Sequence, residues 1–293
     1  MLVQLQHRRD PMPSNPESRI PNPGSIAFIG GGNMARSLIG ALVRGGVAAQ
    51  SIAVAEPDAA TRGALARDFG VDAHAGSADA IRGAGTIVLA VKPQVLEAVC
   101  GELGHAIGDA KPLIVSIAAG IRIAQIERWI GRALPVVRAM PNTPALIGAG
   151  ATGLIANARA SAEDRARAEA MLGAAGRTAW IGREDLMDTV TALSGSGPAY
   201  FFLLVEALED AAVAQGLPRE TARMLASQTC LGAGRMLAES GEAPSTLRER
   251  VTSPGGTTAA ALAAFDEGGL RELVATAVAA ATERGRELSA RGT

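Results

Sequence analysis

Aromatic side chains are scarce in this chain: five Phe, two Trp and one Tyr make up 3% of its 293 residues. Stacking platforms for single-stranded nucleic acid need several such rings, so that class of partner is excluded. An excess of charge of either sign is lacking too. The 28 Lys and Arg nearly balance the 29 Asp and Glu, leaving a formal net charge of −1. Neither nucleic acid nor an anionic membrane finds an electrostatic footprint in such a balance. The two cysteines, Cys100 and Cys230, stand far apart and form neither a disulfide framework nor a metal-binding spacing. His7, His74 and His105 are scattered and assemble no metal site. No apolar run reaches the length of a membrane span. Residues 1–24, MLVQLQHRRDPMPSNPESRIPNPG, hold no stretch that reads as a signal peptide. Their Pro, Ser, Asn and charge content predicts a disordered tail. A reducing cytoplasm is the expected compartment.

What the chain has in quantity is glycine (35 residues) and small aliphatic side chains. From Ser25 onward, short apolar runs alternate with segments of helical period. SIAFIG, SIAVAE, VDAH, TIVLAV, PLIVSIA, LPVVRAM, ATGLIAN and RTAWIG read as strands, with helices between most of them. That alternation predicts a doubly wound, mostly parallel sheet over residues 25–182. IVLAV and LIVSIA are unbroken apolar runs, as strands covered on both faces require. From residue 183 to 293 strand signals vanish and every segment reads as helix. Phe201 to Val205 are apolar in succession. A helix apolar all round is buried, and in so small a domain the simplest cover is a second subunit, so a homodimer through this half is expected.

Several motifs carry chemistry. FIGGGNMA places Gly30, Gly31, Gly32, Asn33, Met34 and Ala35 between the first strand and the first helix. A dinucleotide site needs glycine at the tight turn and where backbone approaches the pyrophosphate, and a small residue where helix meets sheet. Glu56 ends the second strand, where an acid accepts hydrogen bonds from an adenosine ribose and repels a 2′-phosphate. Arg62, one turn on, would offset that repulsion, and a solvated loop residue is the other reading of Glu56. Ala90, Val91, Lys92 and Pro93 close the fourth strand at the edge where doubly wound sheets bind ligands. Lys92 faces a nicotinamide ribose or a substrate carboxylate there, or is simply a polar strand end. Ala118 and Ala119 end the next strand with small residues against which a flat ring can lie. RAMPNTPALIG follows with prolines around Asn142 and Thr143, and LSGSGPAY gives a further glycine-rich helix start with free donors, or a structural loop joining helices. VTSPGGTTAAAL, with Gly255, Gly256, Thr257 and Thr258, is either a capped turn or a helix entrance meant for an anion. No base histidine, acid pair or nucleophile elbow stands out. Reduction of an imine needs less than oxidation of an alcohol, because an easily protonated C=N accepts hydride readily.

Together, FIGGGNMA, AVKPQ, VSIAAG, RAMPNTPA, LSGSGPAY and SPGGTT resemble the pyrroline-5-carboxylate reductase family, over residues 25–288. The resemblance implies a Rossmann domain followed by an all-α dimerisation domain, with dimers that assemble further into a decamer. It implies reduction of 1-pyrroline-5-carboxylate to L-proline with NADPH, or less efficiently NADH. It assigns Gly30 to Ala35 to the pyrophosphate, the Glu56 region to the adenosine ribose, and Ser77 to the adenosine half. Ala90, Val91, Lys92, Pro93, Ala118 and Ala119 fall near the nicotinamide and its ribose. The backbone of Gly255, Gly256 and Thr257 cradles the substrate carboxylate, and the Thr258 hydroxyl lies by the ring nitrogen as proton donor. One departure stands out: Glu56-Pro57-Asp58 replaces the Ser, Thr or Arg of many NADPH-using members. Two rivals remain. A β-hydroxyacid dehydrogenase or ketopantoate-type reductase would carry a catalytic lysine in the helical half, and residues 183–293 contain none. A non-enzymatic nucleotide sensor would leave SPGGTT without a purpose.

Overall fold

The computed structural model describes residues 24–290. The tail expected over 1–24 therefore lies, apart from Gly24, outside the described residues. Eight short apolar segments form strands: β1 Ile26–Ile29, β2 Ile52–Ala55, β3 Asp72–His74, β4 Thr86–Leu89, β5 Leu113–Ser116, β6 Val136–Met140, β7 Gly150–Ala156 and β8 Gly176–Trp180. They make one sheet in the order β3-β2-β1-β4-β5-β6-β7-β8. Neighbours are parallel except β6 and β7, which run antiparallel. Parallel neighbours need a crossover of a dozen residues or more, and here only a tight turn through Thr143–Ile147 intervenes. The chain direction across the sheet reverses between β1 and β4, which creates the crevice where such folds bind ligands.

Helices α1 Asn33–Arg44, α2 Ala59–Phe69, α3 Ser77–Ala80, α4 Pro93–Ala106, α5 Ile123–Ile130 and α6 Ala162–Gly173 flank the sheet. Alternating strand residues feed two cores, one on each face. Phe28, Val54 and Val115 join Leu38, Leu42 and Met171 on one side. Ile29, Leu89 and Ile114 join Leu96, Leu103 and Ile126 on the other. Cys100 belongs to the second core, and burial pushes its thiol up to about 12. It packs there as a small apolar side chain.

Beyond β8 the chain is helical: α7 Met187–Val190, α8 Gly197–Ala214, α9 Arg219–Glu239, α10 Pro244–Arg250, α11 Thr257–Glu267 and α12 Leu270–Ala290. The glycine-serine segment ahead of α8 differs from the open helix start read in the sequence. Thr191–Gly195 is a π-helical turn that runs straight into α8. The Ser196 amide donates to Thr191 O, and the Ser194 hydroxyl to Val190 O. Gly195 lies close under Met140 Cε, so glycine serves packing against the end of β6. The helices α10 and α11 bury no residue within the chain, and α9 buries Ala222 alone. Phe201, Phe202 and Leu203 on α8 are 59%, 69% and 65% exposed. So large an apolar face on a folded chain marks an association surface. Among the described residues no helix is long and apolar enough to cross a membrane.

Candidate active site

The C-terminal ends of β2, β1, β4 and β5 stand side by side, and the loops leaving them carry most of the residues singled out in the sequence. Gly30 leaves β1 at φ +101, a backbone conformation that favours glycine. A Cβ there would sit 2.8 Å from the Ala90 carbonyl oxygen and 3.0 Å from Val91 Cγ1. The first loop is thus pressed onto the AVKP segment, and the Ala90 amide donates to Ile29 O at 2.8 Å. Gly31 is held by its amide, which donates to Glu56 Oε2 at 2.9 Å.

Gly32 differs from both. Its φ of −67 suits any residue, and nothing lies within 4 Å of where its Cβ would be. The fold has no need of glycine at this position, whereas a pyrophosphate approaching the backbone does. Gly32 also caps α1 with no side-chain hydrogen bond, and the first turn of α1 holds no acid. By contrast, Asp58 and Ser161 cap α2 and α6 with side-chain oxygens. The start of α1 therefore fits a dinucleotide, with free amides and the positive dipole end turned to its phosphates. Asn33 is exposed, Met34 half-buried, and Ala35 is the small buried residue at the helix–sheet contact.

Glu56 uses both carboxylate oxygens on backbone: Oε1 accepts from the Asp58 amide and Oε2 from Gly31, each at 2.9 Å. Sequence reasoning foresaw its place at the end of β2 and missed the tie to the glycine loop. Arg62 donates to the carbonyls of Glu56 and Pro57 at 2.8 and 3.0 Å. Ser77, half-buried, opens the short α3 just past β3. Lys92 is exposed at the entrance to α4, with Pro93 in its first turn. Ala118 is buried and Ala119 exposed past the end of β5.

Asn142 is the hub of the neighbouring wall. Its side-chain amide donates to Ser194 O, and its Oδ1 accepts from the Ala151 amide, each at 2.9 Å. That joins the RAMPN and LSGSG motifs, which the sequence offered only as separate fragments. Beside it opens a largely apolar cavity of about 350 Å³ lined by Asn142, Pro144, Leu193, Ser194, Phe201 and Phe202.

Arg138, in the middle of β6 and 3% exposed, was not foreseen as a functional residue. Its guanidinium donates to Glu184 Oε1 at 3.1 Å and lies 3.9 Å from Asp188 Oδ1. Glu184 Oε1 also accepts from the Ile123 amide, and Asp188 Oδ1 from the Ser289 hydroxyl. A buried charge must be paired, so this cluster ties the sheet to α7 and to the far end of α12. A lone arginine inside the apolar run VVRAM is the signal that would have found it.

The second glycine-rich entrance lies in the helical half. Gly255 has φ +70 and nothing within 4 Å of its Cβ position. Gly256 caps α11 in extended conformation, again without a side-chain hydrogen bond. Thr257, exposed, and Thr258, half-buried, are the first two residues of α11, whose main packing is against α12. The structure thus gathers Gly30–Ala35, Glu56, Ala90–Pro93 and Ala118–Ala119 at one sheet edge, and sets residues 255–258 on a separate helical element.

Comparison with known proteins fits this arrangement. Residues 184–288 match the family model for pyrroline-5-carboxylate reductase dimerisation. Residues 25–120 match that of the coenzyme F420-dependent NADP oxidoreductases. The chain is 50% identical over 264 residues to the pyrroline-5-carboxylate reductase of Pseudomonas aeruginosa, spanning 90% of this chain and 96% of that one. The chain belongs to the pyrroline-5-carboxylate reductase family. Its architecture is accordingly a Rossmann unit followed by a helical dimerisation domain, and the exposed apolar face of α8 and α9 falls in the part that the dimerisation model covers. Among solved structures, a family member from Coxiella burnetii superposes with a TM-score of 0.89 at 42% identity, covering 92% of this chain and 99% of that one. The pyrroline carboxylate reductase of Plasmodium falciparum, solved with NADP bound, gives 0.79 at 28% identity over 92% of this chain and 99% of that one.

Proposed function

We propose that this chain reduces the imine of 1-pyrroline-5-carboxylate to L-proline, the final step of proline biosynthesis, with NADPH or NADH as reductant. The observation that carries the reading is the start of α11. There Gly255 turns the chain at φ +70, and two threonines begin a helix with no side-chain cap and no acid in its first turn. The backbone of Gly255, Gly256 and Thr257 holds the substrate carboxylate, as a helix start holds an anion; within it the Gly256 amide donates to Ser253 O at 3.0 Å. The Thr258 hydroxyl hydrogen-bonds the ring nitrogen and passes to it a proton that solvent water replaces. Gly30 to Ala35 bind the pyrophosphate, Glu56 and Ser77 the adenosine half, and Ala90, Val91, Lys92, Pro93, Ala118 and Ala119 the nicotinamide half.

When bound, the reduced nicotinamide supplies a hydride to the imine carbon. The chain's own part is to align that carbon over the ring and to protonate nitrogen as the C=N bond becomes single. Alignment of two reactants is worth roughly 7–11 kcal/mol, which makes it the larger contribution; a threonine is no charged base. The division of labour follows the chain: residues 25–182 take the cofactor and 183–293 the substrate. The Rossmann domain of one subunit presents the ring, and a helical domain holds the substrate over it. Dimers formed through the helical half assemble further into a decamer, in the cytoplasm, with no nucleic-acid partner.

The test is direct. Purified protein is mixed with 1-pyrroline-5-carboxylate, and the loss of NADPH or NADH absorbance is followed. Oxidation of neither cofactor overturns the reading.

A further inference from the structure

Cofactor choice in this fold is set at the end of β2, where an acid suits the 2′-hydroxyl of NADH and an arginine the 2′-phosphate of NADPH. The sequence leaves both possibilities in place, because Glu56 is followed by Arg62. The structure separates them. The Glu56 side chain is locked over the glycine loop by two backbone donors, the Gly31 and Asp58 amides, each at 2.9 Å. Its position is fixed, half-buried, and it keeps lone pairs for ribose hydroxyls. Arg62 turns Nη1 back onto the chain, donating to the carbonyls of Glu56 and Pro57. Arg36, in the first turn of α1, is paired with Asp68 and stacked over the Phe69 ring at 5.3 Å. A second carboxylate, Asp58, adds to the negative side. Hydrogen bonds with Thr61 hold its carboxyl below the usual carboxylate range. A 2′-phosphate would therefore meet two carboxylates, with the Arg36 guanidinium paired to Asp68 and Arg62 Nη1 held on backbone carbonyls.

We infer that Glu56, fixed by the Gly31 and Asp58 amides with Arg62 drawn onto backbone carbonyls, makes this chain select NADH over NADPH. The inference rests on the proposed reading only in taking a nicotinamide dinucleotide as ligand.

Calorimetric titration with NAD⁺ and NADP⁺ tests it without any turnover. Like charges brought together at a binding site weaken it markedly, so the wild-type chain binds NAD⁺ tighter by about tenfold or more. Glu56→Gln removes the charge and keeps the shape, and it narrows that gap mainly by tightening NADP⁺. Raising the salt concentration narrows it too, since the carboxylates are solvent-accessible. Arg62→Ala leaves the NADP⁺ affinity unchanged within a factor of about two, because its guanidinium serves carbonyls. Titrating the wild-type chain with AMP and 2′-phospho-AMP repeats the comparison with no variant that must fold. Equal or tighter binding of NADP⁺ overturns the inference, as does a selective loss of NADP⁺ affinity in Arg62→Ala. In either case imine reduction with NADPH would continue, which distinguishes this failure from failure of the proposed reaction.

Discussion

The two glycine-rich helix entrances look alike in sequence and differ in their surroundings. The one before α1 is crowded: a Cβ on Gly30 meets the Ala90 carbonyl, and one on Gly31 meets Leu65 Cδ1 at 2.5 Å. The one before α11 is open at Gly255, with nothing within 4 Å of its Cβ position, and only Ser253 crowds Gly256, its Oγ 2.8 Å from where a Cβ would sit. The first loop is built into a sheet whose strands bury it from both sides. The second projects from helices that bury almost nothing within their own chain. At the entrance before α1, Gly30 and Gly31 are demanded by the fold itself, whereas Gly32 is not. At the entrance before α11, the backbone angle of Gly255 and the close approach of Ser253 to Gly256 are the local demands for glycine.

That contrast can be broken at several points. The largest effect is expected where the two units are joined. Arg138→Ala strands two carboxylates of the buried cluster and costs about 3–5 kcal/mol, the usual penalty for breaking a buried pair. Chemical denaturation measures it, and a loss under about 1 kcal/mol would show that the cluster does not tie the halves. Gly30→Ala combines a positive φ with a clash against backbone, together about 2–4 kcal/mol. NAD⁺ binding should disappear with it in calorimetry; a stable variant that still binds would refute the crowded-loop account.

At the other entrance the effects are kinetic. Thr258→Ala is expected to lower kcat about 100-fold, the lower end of the proton-transfer range, with dinucleotide affinity intact. Unchanged kcat/KM for the imine would remove Thr258 from the reaction. Gly255→Ala carries the left-handed strain of about 1–2 kcal/mol on a turn with room around it. It should raise KM for the imine while global stability hardly moves. Gly32→Ala is the subtlest case. With an ordinary φ and open space, it should shift stability by no more than about 0.5 kcal/mol yet weaken dinucleotide binding. A variant that binds as well as the wild type would mean that Gly32 does not face the pyrophosphate.

Much of this was legible in the residues. The central strands announce themselves as apolar runs closed by glycine, proline or a charge, because strands buried on both faces tolerate nothing else, whereas the outer strands β3 and β8 are half-exposed and VDAH signals only weakly. Strand direction was less legible: β7 turns back on β6 because the Thr143–Ile147 turn is short, a matter of connection geometry. LSGSGP reads as a loop by composition. In three dimensions the Ser194 hydroxyl bonds back to Val190 O and Met140 fills the space over Gly195, so the segment stays helical. At the site, Glu56 was recognisable by position, but its grip on Gly31 depends on how the loop folds over. The Arg138 cluster was hidden for another reason. Its members come from strand, turn and two helices, and no spacing along the chain links them.

That cluster also bears on how the chain is made. Arg138 is synthesised near the middle of the chain, Asp188 well after it, and Ser289, fully buried against Asp188, almost at the end. A nascent Rossmann unit emerging from the ribosome holds an arginine in its sheet whose partners do not yet exist. Domains generally fold as units during synthesis, but this one cannot satisfy its buried charge until Glu184 and Asp188, just beyond the last strand, have been released, and Asp188 gains its Ser289 hydroxyl only when the final helix follows.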